Sequence, residues 1–428
     1  MGLPGESGVM RSEGSLKSRS YLPLVATSIG HFTNDGTLFL VPVIIDLVAS
    51  LYGTGTLVVT TSLVLFYLST AISANLLGPI IDRRRLQAVT MVFGIIILSS
   101  GLIMYSVAVR GVMVPVFMIL SSVTAGVGAS FYHPTGSSIL QSYYRGGKLG
   151  RYLGINGSAG SLGRAIYPSL LFLVGVLLVS NSSSIIFFGL LGIFLSVFMF
   201  LGIRKYEDGD GSISSDPGKV LGKSSETGTG RSPTVGRGVI LLAVVSLFRT
   251  MTFFGIVSWI PEYLTFSRGV GTSILLGYTM TLMFSGGIVG QLVIGRFVEN
   301  HDKRSALVAT TLISAGLMFL YLISSSWLSL VMLGLFGFFN FSAFPIFMSM
   351  ISDYVPRGST TSSNALVWNL GGTGGQAIGP LVVALLIGGE YNGLSFAFEV
   401  LLLLAVLSVV IVLVLPKPPR TSRAQIFG

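Results

Sequence analysis

The chain is written in long apolar runs separated by short polar ones. A bilayer core takes about 20 mostly apolar residues per helix. On that scale twelve spans are predicted, at 21–50, 56–81, 86–109, 112–141, 149–179, 183–203, 238–265, 271–298, 304–324, 327–352, 360–388 and 393–415. Between the sixth and seventh lies KYEDGDGSISSDPGKVLGKSSETGTGRSPTVGRG, residues 205–238. Its Gly, Ser and charge predict a flexible linker that buries nothing. The pattern therefore divides the chain into a polar tail (1–20), six helices (21–203), a linker (204–237), six more helices (238–415) and a second tail (416–428).

Composition agrees with an all-α membrane protein: 51% of the 428 residues are hydrophobic and 10% charged, against about 25% charged in soluble domains. The first 20 residues lack the apolar core of a cleavable signal. With no cysteine, thiolate chemistry is excluded. The net charge of +10 would suit nucleic acid, but its placement argues otherwise. Twenty-two of the 26 Lys and Arg residues fall in the tails and in the loops on the side the tails share, the linker included. Arg110 and Arg268 fall on the opposite side, and Arg164 and Arg249 fall inside spans. This asymmetry predicts cytoplasmic termini in the cell membrane, with the bilayer as partner and no nucleic acid.

The two halves echo each other. GPIIDRRR (78–85) aligns with GRFVENHDKR (295–304), placing Asp82 opposite Glu299. Pro134 and Pro168 are 34 residues apart, and Pro345 and Pro380 are 35 apart. Arg164 and Gln376 stand four residues before the second proline of each pair, behind the glycine stretches NGSAGSLG and NLGGTGGQAIG. Two related six-helix bundles joined by a linker are a common build for secondary transporters.

The twelve spans, the repeat and GPIIDRRR resemble the major facilitator superfamily, whose loop after the second helix carries G-x-x-x-D-R/K. Within it, HFTNDG in the first span and GVGASFYHPTGSS (126–138) in the fourth are similar to the fosmidomycin-resistance-type branch. The resemblance implies two pseudo-symmetric bundles and a gating loop at Gly78, Asp82 and Arg83, with Glu299 as its counterpart in the repeat. After Asp82-Arg83 the family's glycine and later basic pair are replaced by Arg84-Arg85-Leu86-Gln87, so the loop's role carries over only in part.

An ionisable side chain at mid-span costs about 2.5–3.5 kcal/mol on insertion scales, so each one marks a candidate site. Five qualify: His31, Asp35, His133, Arg164 and Arg249. His31 and Asp35 are four apart and share a helix face. Asp35 is expected to carry a coupling proton with His31 assisting, the alternative being a static polar latch. Arg164, Arg249 and His133, with Asn34, Asn156, Asn340, Trp368 and Gln376, are the expected substrate-binding groups. Two arginines against one aspartate favour an anion. Alternatively one arginine pairs with Asp35 and the other is satisfied by carbonyls. Asp46, Glu262 and Glu390 are read as lying near the outer face, Asp353 near the inner, and Glu399 at a structural or lipid-facing position.

The glycine runs lie inside apolar spans, unlike phosphate-binding loops. With no catalytic triad, metal motif or cofactor motif, no enzyme is expected. The expected function is alternating-access, proton-coupled export (antiport) of a small anionic or drug-like compound by a monomer. The alternative is a symporter or uniporter importing an organic anion, and a non-transporting scaffold is the remote third.

Overall fold

A computed structural model describes residues 21–84, 86–144, 149–207, 237–298, 301–354 and 366–416. Within them the chain is helical, with no strand among the described residues. The first half contains α1 (Leu22–Tyr52), α2 (Thr56–Arg84), α3 (Gln87–Val109), α4 (Val114–Ala129), α5 (Tyr132–Tyr143), α6 (Leu149–Leu177) and α7 (Asn181–Glu207). The second contains α8 (Arg237–Glu262), which runs into a π-helical turn at Tyr263–Ser267, then α9 (Ile274–Phe297), α10 (Lys303–Ile323), α11 (Leu328–Phe341) and α12 (Ala343–Tyr354). A π-helical segment at Leu366–Thr373 leads into α13 (Gly374–Ile387), and a short 3₁₀ turn at Tyr391–Gly393 into α14 (Leu394–Leu413).

Among the described residues, ten helical stretches are long and apolar enough to cross a membrane. Four expected spans are not single α-helices. The fourth is split into α4 and α5, the tenth into α11 and α12, the seventh ends in a π-helical turn, and the described part of the eleventh begins as a π-helix. A proline follows each of the first two breaks. Pro134 and Pro345 are each the third residue of the second piece. Proline has no N–H for the carbonyl four residues back and its ring crowds that carbonyl, and the helix parts about one turn earlier. The same break in both halves is the internal repeat seen in the backbone.

Two boundaries also move. Helix α2 runs on to Arg84, so Gly78, Asp82 and Arg83 lie in its last turns and not in a loop. Helices α7 and α8 take in the ends of the expected linker, and the rest of it lies outside the described residues, as does Glu299.

The apolar core is divided unevenly. One cluster runs through both halves, from Leu40, Ile44 and Val48 on α1 to Trp259 and Ile260 on α8 and Phe398 on α14. Toward the termini it gives way to separate clusters: Leu24, Leu140 and Tyr144 in the first half, and Val239, Leu307, Ile346 and Val412 in the second. The halves are thus packed together on the side opposite the termini.

Hydrogen bonds across the seam keep to that side. The Thr56 hydroxyl donates to the Gly389 carbonyl at 2.7 Å, and the Tyr391 hydroxyl to the Thr54 carbonyl at 3.0 Å. Ser169 and Thr281 meet at 2.6 Å between α6 and α9. Phe39 of α1 adds ring contacts to Phe254, Phe284 and Phe341, at 5.7, 5.0 and 6.5 Å between centroids.

Candidate functional site

The polar stretch of α1 is buried where α5 and α6 cross it. Asp35 retains 4% of its surface, yet three basic side chains converge on its carboxylate. His31 Nε2 lies 3.4 Å from Asp35 Oδ2, His133 Nε2 lies 3.3 Å from Oδ1, and Arg164 Nε lies 3.7 Å from Oδ2. Asn34 adds a donor at 3.2 Å from Oδ1. The i, i+4 pairing of His31 and Asp35 follows from helix geometry. His133 comes from the start of α5, just after the break before Pro134, and Arg164 from the middle of α6.

Glycine lets α6 approach this closely. A Cβ on Gly160 would sit 2.3 Å from the His31 ring, and one on Gly163 would sit 2.1 Å from the Phe32 carbonyl oxygen. The NGSAGSLG stretch therefore places the face carrying Asn156 and Arg164 directly against the polar face of α1.

A hydrogen-bonded chain runs from Thr27 to His31. Tyr132 spends its hydroxyl proton on the Thr27 carbonyl at 2.7 Å, so it accepts from Asn156 Nδ2 at 3.0 Å. That turns Asn156 Oδ1 toward His31 Nδ1 at 2.9 Å, where it can only accept. His133 keeps 40% of its side chain exposed and is the most exposed member of the cluster.

Arg164 reaches both halves. Its guanidinium donates to the Ser161 hydroxyl at 2.7 Å and lies over the rings of Phe39 and Phe341, 5.4 and 5.5 Å from their centroids. It thus pairs with Asp35 in its own half while packing on Phe341 of the other.

Arg249 is not brought to this cluster. It retains 6% of its surface and donates to the Thr311 hydroxyl at 3.1 Å and the Asn340 carbonyl at 3.0 Å, with Phe253 beneath it. Arg164 thus pairs with Asp35, while Arg249 is held by a hydroxyl and a carbonyl. Asn340 is present as a backbone acceptor, Gln376 is partly buried on α13, and Trp368 lies in the π-helical segment before it. Asp46 and Glu262 are fully buried. Glu399 is exposed on α14.

Ligand atoms of His31, Asp35 and His133 lie within 4.8 Å of one another, a spacing a metal ion could use. Arg164 stands beside the same carboxylate and supplies the positive charge there, which disfavours a cation.

Residues 27–375 and 270–427 match the Major Facilitator Superfamily. The chain belongs to that superfamily, and it is a multi-pass membrane transporter by fold and family. No curated protein matches its sequence significantly. Among solved structures it is similar to a bacterial homologue of the human lysosomal transporter Spinster in an inward-facing, unoccupied conformation. The TM-score there is 0.70 at 14% identity, over 93% of this chain and 97% of that one. The xylose transporter XylE from E. coli, inward open, gives a TM-score of 0.71 at 10% identity, over 93% and 97% of the two chains. At these identities the likeness is one of fold.

Proposed function

We propose that this chain is a proton-coupled secondary transporter of a small anionic or drug-like compound, working by alternating access, with Asp35 as the proton-coupling group. The observation that carries the reading is the convergence of His31, His133 and Arg164 on one buried carboxylate. Protonating Asp35 removes the counter-charge of all three. Arg164 is then free for another anion, and its stacking on Phe341 ties that exchange to the packing of the two halves. Arg249 adds a second buried positive charge with neutral partners, which again favours an anion. The termini are taken to be cytoplasmic from the placement of basic residues, so the closed side is the outer one.

This geometry bears on direction. An anion competes with the Asp35 carboxylate for Arg164, so it binds best when Asp35 is protonated. Proton and anion then travel together, which is symport. Export against proton entry, the direction implied by the HFTNDG and FYHP motifs, requires proton and substrate to exclude each other. A cationic or neutral drug held by the Asp35 carboxylate itself would satisfy that condition.

Reconstituted vesicles carrying a pH-sensitive dye test these readings. Fosmidomycin, a panel of small phosphonates and carboxylates, and cationic drugs are added to the native protein and to Asp35→Asn. Anion and proton moving the same way supports symport, and drug and proton moving oppositely supports antiport. In either case Asp35→Asn abolishes the proton movement. Substrate flux without proton movement, equal in both proteins, sinks the coupling role of Asp35.

A further inference from the structure

Asp46 and Glu262 take no part in the chemistry above. Asp46 lies on α1 about three turns beyond Asp35, and Glu262 is the last residue of α8. Both are 0% exposed, at the seam between the two halves. Asp46 Oδ2 accepts from the Thr265 hydroxyl at 2.6 Å. Asp46 Oδ1 and both oxygens of Glu262 have no hydrogen-bond partner. Thr265, whose hydroxyl meets Asp46, follows Glu262 by less than one turn of the same helical run, which brings the two carboxyl groups to one place.

The titratable groups around them are neutral or acidic. Tyr67 of α2 stands by Ser258, about one turn before Glu262, and Tyr391 of the 3₁₀ turn stacks on Phe266, about one turn after it. The Tyr67 hydroxyl receives a hydrogen bond from Ser258 at 3.2 Å, while Tyr391 donates its own to Thr54. Glu390 lines the groove above, beside Ala49 and Tyr391. Arg268, six residues after Glu262, spends its guanidinium on the Tyr263 hydroxyl and the carbonyls of Tyr321, Leu322 and Ser324. Among the described residues no cation pairs with either acid.

Two carboxylates buried without a cation do not both stay ionised. A proton supplies the donor that the three unpartnered oxygens lack. The two acids come from different halves, so the pair exists only while the halves are closed at this end. We propose that Asp46 and Glu262 form a proton-binding carboxyl pair that latches the transporter shut on the side opposite the termini. Closing buries the carboxyls and holds the proton. Opening hydrates them and returns the proton to the compartment it came from. The latch is thus a sensor of pH on that side, separate from the proton handled at Asp35. Its sign follows: the closed state binds protons more tightly, so acid favours closure.

The chain has no cysteine, so spin labels placed by Val112→Cys and Trp327→Cys report only the separation of two exposed loops, one in each half. Their distance distribution is measured by double electron–electron resonance in lipid nanodiscs, from mildly alkaline to mildly acidic pH, without substrate. The closed-to-open ratio is expected to rise about tenfold per pH unit for each proton bound on closing. In the Asp46→Asn/Glu262→Gln double variant the response disappears and the closed distance persists at alkaline pH. In Asp35→Asn the response remains.

A native ratio that ignores pH overturns the latch, as does a response that survives in the double variant. A response lost in Asp35→Asn but kept in the double variant assigns the titration to Asp35, overturning the latch while leaving the transport reading intact. Closure at alkaline pH that requires sodium overturns it in favour of a cation site. If the double variant does not fold, infrared spectra of the native protein and of each single variant decide. A carboxylic-acid C=O band lost on either substitution supports the pair, and its absence from the native spectrum overturns it.

Discussion

Asn156 is held by Tyr132, whose hydroxyl is committed to Thr27, and this decides which face of the amide His31 meets. Asn156→Ala removes the acceptor and strands a buried N–H, at a cost of about 1–3 kcal/mol. The expected outcome is a lower melting temperature in detergent together with slower transport, because His31 loses the partner that orients its ring toward Asp35. Arg249→Met, by contrast, leaves the Asp35 cluster untouched. If the buried charge attracts substrate, affinity for an anion falls about tenfold or more, as loss of a charged hydrogen-bond partner costs about 1.5–3 kcal/mol, while the proton response at Asp35 persists. A binding titration of the purified variant measures it. At this scale the sequence was legible where chemistry is local: His31 and Asp35 share a face by spacing alone. That His133 and Arg164 close on the same carboxylate was not legible, because they come from α5 and α6 and only the packing of those helices sets the distances.

Helix packing carries the site through positions where a side chain has no room. Gly163→Ala would put a methyl group 2.1 Å from the Phe32 carbonyl oxygen, and Gly337→Ala one 1.8 Å from the Met283 carbonyl oxygen. Both contacts are backbone, so the helices must separate. Each substitution is expected to cost about 1–3 kcal/mol, read as a lower midpoint in thermal unfolding. Only Gly163→Ala should also disturb transport chemistry, since it lifts α6 and Arg164 away from Asp35. At the start of α10, Asp302 accepts from the backbone N–H and hydroxyl of Ser305, at 2.8 and 2.6 Å. These bonds hold its carboxyl below the usual carboxylate range. Because the folded-state value is depressed, the stabilisation is present at neutral pH and fades as pH falls through that depressed value. Asp302→Ala should cost about 1 kcal/mol and remove that part of the acid sensitivity of the melting temperature. The element pattern was largely legible from apolar run length. The splits at Ser130–Phe131 and Ser342 were foreshadowed by Pro134 and Pro345, but proline in a long apolar run is compatible with a kink or with a full break, and the surrounding helices decide which.

At the scale of the whole molecule, the two halves meet on one side and keep separate cores on the other. The closed side is held by few polar bonds, so single changes should move the balance between states. Tyr391→Phe deletes the hydroxyl that reaches the Thr54 carbonyl while keeping the ring stacked on Phe266. Loss of one such bond, about 1 kcal/mol, shifts the closed-to-open ratio about fivefold toward open, measured with the same pair of loop labels. Unchanged distances would mean that the Tyr391–Thr54 bond does not hold the closure, leaving it to the other seam bonds and the aromatic contacts around Phe39.

The sequence by itself determined the membrane environment, the twelve apolar runs, the two-fold repeat and the five ionisable groups that do not belong in lipid. Each of these depends on composition or on spacing along one helix, and neither needs a neighbouring helix to be interpreted. Tertiary structure alone decided that Asp35 is ringed by three basic side chains, that Arg249 is held apart from it, and that Asp46 and Glu262 are buried at the seam between the halves. Those facts depend on which faces of distant helices meet, and the register between helices is set by close packing at positions such as Gly160 and Gly163 that no single run of sequence encodes.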